Sequence, residues 1–229
     1  MDIDSFLALD REVLSWFNGS DSLFLDQLVW LLTQGLTWIP MYVALFYLVI
    51  KNNETMTQIM IIVGCVALCL LLSSGVTNGI VKPLVARPRP SLDPLFKYTV
   101  QVVDGHRNSG FSFFSAHAAN TMAIAVFFCL LVRDRLLSGT LLLWSLVNAW
   151  TRLYLGLHYP SDILCGLLWG TVAGLVGYAV FYRLYYKTSP PVTYISSQYT
   201  NTGYSRSDID VVLTVLVLTV AVLILMALR

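Results

Sequence analysis

Long uncharged stretches alternate with short polar links along this chain, and the alternation predicts helices that cross a bilayer. The uncharged runs occupy residues 27–50, 55–81, about 115–132, 136–151 with an extension toward Leu157, 163–182 and 211–228. Most approach or exceed the roughly 20 residues that a helix needs to cross about 30 Å of hydrocarbon. The pattern predicts an all-α, polytopic membrane protein with six transmembrane helices, forming one membrane-embedded domain over residues 1–229. Residues 3–17 differ, because Ile3, Phe6, Leu7, Val13, Leu14 and Phe17 recur at helical spacing with Asp4, Asp10, Arg11 and Glu12 between them. That spacing predicts an N-terminal amphipathic helix, lying in the membrane interface or packed on the bundle, and in neither place is it expected to carry chemistry. Gly35 and Pro40 predict a kink in the first run. Gly166, Gly170 and Gly174, with Gly177 next, predict a strip on the fifth helix where a neighbouring helix comes close.

The links orient the helices. Those at Lys51–Glu54 and Arg133–Arg135 are short, whereas 83–114 and 183–208 are long and read as extramembrane segments. Placing Lys51, Arg133, Arg135, Arg183, Lys187 and Arg206 on one side makes that side cytoplasmic by the positive-inside rule, with both chain ends outward. The end of the second helix, the start of the third, the end of the fourth and the start of the fifth then share the opposite face.

Composition agrees with a membrane class. Of 229 residues 57% are apolar and 12% charged, too apolar for a soluble domain of this size. The net charge of +1 offers nothing for nucleic acid, and none is expected as a partner. Cys65, Cys69, Cys129 and Cys165 sit inside apolar runs without metal-ligand spacing, so they are expected to be buried thiols. The acidic start Met1-Asp2-Ile3-Asp4 does not resemble a cleaved signal, and none is expected.

Against that background the polar residues at the helix ends stand out, since an Arg, Lys or Asp costs about 2.5–3.5 kcal/mol in the hydrocarbon core on insertion scales. Lys82, Arg89, Ser115, His117, Arg152, His158 and Asp162 fall in three clusters on the shared face. In the first, prolines at 83, 88 and 90 are expected to stop the helix at Lys82 and hold Lys82 and Arg89 on an extended segment, for an anion or for lipid head groups. In the second, Ser115 suits the N-cap of the next helix, whose free N–H groups favour an anion, with His117 in the first turn. In the third, Pro160 suits the first helical position, leaving His158 just outside and Asp162 in the first turn. The carboxylate can then hold one imidazole nitrogen and present the other as a nucleophile. Three cations, two histidines and a carboxylate suit an oxyanion, most simply phosphate.

Lys82 separated from Arg89-Pro90 by six residues, Ser115-Ala116-His117, and Arg152 followed by His158 and Asp162 together resemble the three motifs of the type 2 phosphatidic acid phosphatase superfamily. The resemblance covers about residues 82–162 and departs from the usual pattern at Phe114 (commonly Pro), Ala116 (commonly Gly) and Thr151 (commonly Ser). It implies an integral membrane lipid phosphatase that needs no metal or other cofactor. By the same resemblance His158 is the nucleophile that becomes phosphohistidine, Asp162 orients it, and His117 is the general acid. Lys82, Arg89 and Arg152 hold the phosphoryl oxygens, and Ser115 with the Ala116 amide completes the cradle.

The expected partners are the bilayer and a lipid phosphate: undecaprenyl pyrophosphate, phosphatidylglycerol phosphate, phosphatidic acid or a lipid A phosphate. The expected location is a bacterial inner membrane, with the site on the extracytoplasmic side. A phosphotransferase with the same intermediate, or a lipid transporter or binding protein without turnover, are the alternatives. Two histidines argue against the latter, because binding needs neither an acid nor a nucleophile. Residues 91–110, with Lys97, Asp104, His106 and Arg107, are expected to roof the pocket or to form a plain surface loop, with His106 solvated.

Overall fold

The computed structural model describes residues 3–103, 109–188 and 196–229, and every regular element among them is helical. The order is α1 (Ile3–Phe17), α2 (Leu23–Thr33), α3 (Ile39–Lys51), α4 (Met56–Leu70), α5 (Lys82–Val85), α6 (Ala116–Val132), α7 (Arg135–Tyr154), α8 (Pro160–Thr188) and α9 (Arg206–Ala227). Three runs are long and apolar enough to cross a membrane: Met56–Leu92, Pro160–Lys187 and Arg206–Ala227. A fourth arises if α2 and the Gly35–Lys51 segment count as one span bent by 68°. The bend falls at Gln34–Gly35, where the sequence predicts a kink, and a 3₁₀ turn over Gly35–Trp38 bridges it.

α6 forms the centre. Ala118, Ala119, Ala123, Ala125 and Phe127 are inaccessible to solvent, and α8, α7 and α4 pack around them. The closest approach, between α6 and α8, runs along the glycine strip. A Cβ at Gly166 would stand 2.6 Å from the Ser115 carbonyl oxygen, one at Gly174 2.8 Å from that of Ala123, and one at Gly170 would collide with Ala119 O. Gly170→Val is therefore expected to force α6 and α8 apart at a cost of about 1–3 kcal/mol. The check is a lowered unfolding midpoint in detergent; an unchanged midpoint would refute the packing argument. On the outside of the bundle, Leu36, Leu84, Leu143, Leu168, Leu218 and Leu225 are well exposed, the inverse of a soluble surface and suited to lipid.

Two boundaries differ from expectation. The helix does not stop at Pro83: it passes through π-helical turns at Leu71–Gly75 and Thr77–Val81, continues over α5 and ends at Ala86, where φ is +50°. In the wide turn the Lys82 N–H bonds five residues back to Thr77 O, and this looser winding accommodates a ring that would clash in a regular helix. The 183–208 link is also shorter than predicted, because α8 carries Arg183 and Lys187 as helix and extends to Thr188. Beyond it, an isolated antiparallel bridge joins Tyr199 to Ser205 just before α9.

Candidate active site

The start of α8 builds the first half of the site. Pro160 opens the helix, so the preceding turn is free to carry His158 and Tyr159 outside it while Asp162 sits in its first turn. The Asp162 side chain caps that turn by accepting from Tyr159 N–H at 2.9 Å, and the same oxygen lies 3.4 Å from His158 Nδ1. Ser112 stands between them, donating its hydroxyl to Asp162 Oδ2 and lying 3.5 Å from Nδ1. With both neighbours on the Nδ1 side, the bonding pattern assigns the ring proton there and leaves the Nε2 lone pair free. Burial pushes the His158 imidazole down to about 4, Asp162 opposing the shift and Arg89 and Arg152 adding to it. The ring is therefore neutral at ordinary pH.

The second half lies where α6 begins beside the end of α7. Ser115 caps α6 by accepting from Ala118 N–H at 3.4 Å, while its own N–H donates to Asp162 O at 3.1 Å, which ties the two helix starts together. Ala116 is the first residue of α6 and keeps the backbone donor that a glycine would supply there. In the same first turn, His117 Nδ1 accepts from Arg152 Nη2 at 2.5 Å and Nε2 faces Asn148 Oδ1 at 3.4 Å. Asn148 is held in turn through Nδ2 to Trp144 O at 2.9 Å, so its oxygen must face the imidazole.

The cations converge from three elements. Arg89 is buried and donates to Leu157 O at 3.1 Å, while Arg152 donates to Thr33 O at 3.2 Å; the Nε atom of each is buried without a partner among the described residues. Lys82 has no ion pair among the described residues and lies within electrostatic reach of Arg89, Arg152 and Asp162. Cations with spare donors gathered beside a neutral imidazole suit a phosphoryl group. Among the described residues no group of three or more His, Cys, Asp or Glu side chains could hold a metal ion.

Two cavities meet at His117. One, of about 340 Å³, is lined by Thr33, Gln34, Val103, Arg152 and Leu157 with His117. The other, of about 470 Å³, is apolar and lies among Tyr42, Phe46, Ile62, Val66 and Phe128, with Gly35 and His117 bordering both. A charged head and an apolar tail can thus occupy adjoining spaces.

All the expected site residues fall within this region. Ser112, Arg87 and Asn148 were missed as members of it. Ser112 belongs to the motif stretch but has no cue of its own, and Arg87, two residues before Arg89, has only its charge. Asp10 was also missed, because α1 was expected to carry no chemistry; its carboxylate instead reaches Arg87 at 2.6 Å. Val103 borders the cavity, Lys97 is not among the residues that line it and its Nζ lies 4.8 Å from the centre of the Tyr98 ring, and Asp104, His106 and Arg107 lie outside the described residues.

The sequence model of the PAP2 superfamily matches residues 60–186. The lipid A 4'-phosphatase of Bacteroides thetaiotaomicron is 36% identical over 184 residues, covering 80% of this chain and 81% of that protein. The lipid A 4'-phosphatase of Porphyromonas gingivalis is 29% identical over 181 residues, covering 78% of this chain and 75% of that protein. Among solved structures, the crystal structure of Aquifex aeolicus LpxE aligns with a TM-score of 0.56 at 22% identity, over 77% of this chain and 98% of that one, a likeness of fold.

Proposed function

The chain belongs to the PAP2 superfamily, and from that premise we propose that it removes phosphate from a lipid through a phosphohistidine formed on His158. The observation that carries this reading is the neutral, buried His158 with Nδ1 turned to Ser112 and Asp162 and with Arg89 and Arg152 within electrostatic reach. Nε2 attacks phosphorus while the bond to the lipid oxygen breaks, and His117, which takes up a proton from solvent at Nδ1 once the phosphate is bound, gives that proton to the leaving oxygen. Water then attacks phosphorus, His117 takes a proton from it, and the N–P bond breaks to return His158 and free phosphate. Lys82, Arg89 and Arg152, with the Ser115 hydroxyl and the Ala116 amide, hold the oxygens as charge builds on them. The Arg152 Nη2–H that His117 Nδ1 now accepts turns to the phosphoryl group, which frees Nδ1 to carry the transferred proton.

The substrate that fits best is a lipid A-type phosphate. The relatives that match along most of the chain are named lipid A 4'-phosphatases, and the polar and apolar cavities adjoin at His117. The remaining runs complete six spans, with α1 in the interface and the site on the extracytoplasmic side of a bacterial inner membrane. No metal takes part in this scheme. Phosphate release in detergent with a chelator, from lipid A, undecaprenyl pyrophosphate, phosphatidylglycerol phosphate and phosphatidic acid, is expected to be fastest from lipid A. It should persist in chelator and fall with vanadate, whose trigonal bipyramidal adduct mimics the transition state. Faster release from undecaprenyl pyrophosphate would overturn the substrate assignment, and loss of activity in chelator the metal-free scheme. Phosphate recovered on a second lipid instead of in solution would favour the transferase.

A further inference from the structure

The N-terminal helix reaches the reacting imidazole through a chain of charges, its two carboxylates buried and the arginine between them partly so. Asp10 on α1 is only 6% exposed. One of its oxygens accepts Ser161 N–H at 2.9 Å; the other accepts Ser161 Oγ–H at 2.5 Å and Arg87 Nη2 at 2.6 Å. Arg87 spans the gap to the catalytic side: Nη1 donates to Asp162 Oδ1 at 2.9 Å, and the guanidinium lies 3.8 Å from the centre of the Tyr159 ring. The other Asp162 oxygen is the one shared by Ser112, Tyr159 N–H and His158. Beside Asp10, Arg11 pairs with Asp93 at 3.0 Å, and Asp93 accepts the Tyr159 hydroxyl at 2.7 Å, so α1 is anchored on both sides of this turn.

The charges alternate in order: Asp10 negative, Arg87 positive, Asp162 negative, then His158. An arginine paired with Asp162 alone would offset most of the field that His158 needs when it becomes a cationic phosphoimidazole. A second carboxylate on the far side of the arginine offsets the arginine instead, which leaves one net negative charge for the imidazole. The two-sided grip also fixes the guanidinium plane, and with it the direction of the Asp162 carboxylate. Ser161 reinforces the arrangement by donating its N–H to Asp10 while accepting from Arg87 Nη1 at 2.8 Å.

We propose that Asp10, acting through Arg87, is a positioning residue for the Asp162–His158 pair, so that the N-terminal helix forms part of the catalytic apparatus. Asp10 lies outside the stretch matched to the superfamily, residues 60–186. The inference rests on the assignment of His158 as nucleophile.

The test uses the full chain in detergent with a lipid A phosphate, comparing Asp10→Asn, the double variant Asp10→Asn/Arg87→Gln, Asp10→Glu and Asp162→Asn. Steady-state rates, phosphoenzyme formation in a single turnover and melting midpoints are the readouts. Asp10→Asn is expected to lower kcat and the phosphorylation rate by about ten- to a hundredfold, by analogy with loss of the carboxylate that orients a metal-binding histidine, with KM within about twofold. The double variant is expected to be faster than Asp10→Asn, because removing the uncompensated arginine returns the charge of Asp162 to His158. Asp10→Glu should restore part of the rate.

An Asp10→Asn enzyme with unchanged kcat would overturn the proposal, as would a double variant slower than the single one. If Asp10→Asn does not fold, the comparison of Asp10→Glu with wild type decides: a slower phosphorylation step at equal KM supports the relay, and an equal rate overturns it. Full activity in Asp162→Asn would instead refute the catalytic reading on which the inference rests.

Discussion

His158→Ala is expected to lower phosphate release by on the order of a thousandfold or more while leaving the fold in place, since removing a nucleophile commonly costs more than any other single change to a site. The ring is small and buried, and among the described residues its bonds run to Ser112 and Asp162, both of which keep other partners: Arg87 and Tyr159 N–H for Asp162, and the Asp162 carboxylate for Ser112. Wild type quenched in alkaline detergent, which preserves an N–P bond, should hold labelled phosphate on protein, and the variant should hold none. A variant that retains a tenth of the wild-type rate would remove His158 from the mechanism. The pH dependence follows from the same residue. His158 titrates near 4 instead of 6.5 because burial disfavours its charged form, so Nε2 keeps its lone pair well below neutral pH and loses it only as pH falls through about 4. Single-turnover phosphorylation should therefore persist at pH 5, fall to about half near pH 4 and fade below it. The sign for stability is the same: between 6.5 and 4 the unfolded chain binds a proton that the folded chain excludes, so acidification across that window weakens the fold.

Arg152→Gln is expected to lower kcat by about 10²–10³, equivalent to about 2.7–4 kcal/mol of transition-state stabilisation, the range for removal of one preorganised donor at a site of developing charge. Arg152 sits at the crossing of two tasks. It donates to His117 Nδ1 at 2.5 Å and to Thr33 O at 3.2 Å, and its Nε is buried without a partner among the described residues. Glutamine can replace one of those donors but supplies no charge. Arg152→Lys should recover little of the loss, because an ammonium lacks the planar fork that reaches a phosphoryl oxygen and a second acceptor together. KM for the lipid should change less than kcat, since the apolar cavity is untouched. A fall of less than tenfold in kcat would show that Arg89 and Lys82 suffice to hold the phosphoryl group.

Much of the site was legible because its chemistry is local. His158 and Asp162 are four residues apart at a proline-started helix, and Ser115 opens α6, so helix-start geometry alone sets where each side chain sits. The residues that escaped are those whose partners lie far along the chain. Asp10 meets Arg87 across 77 positions, Ser112 meets Asp162 across 50, and His117 meets Asn148 across 31. A lone Asp in an amphipathic helix looks solvated until the surface that covers it is known. Pro83 misled for a related reason: the proline rule assumes a regular helix, and here the preceding turns are wound wide.

By itself the sequence determined the all-helical class, the order of the uncharged runs, the glycine strip on α8 and the identity of the cations and histidines, because helical period, charge spacing and helix-start chemistry act over a few residues. Only the tertiary structure decided that α6 is enclosed by α4, α7 and α8, that the polar and apolar cavities meet at His117, and that Asp10 of the first helix closes on Arg87 beside Asp162. Those outcomes depend on which faces the helices turn to one another. Such faces are chosen by packing and by the need of each buried charge for a partner, neither of which has a signature along the chain.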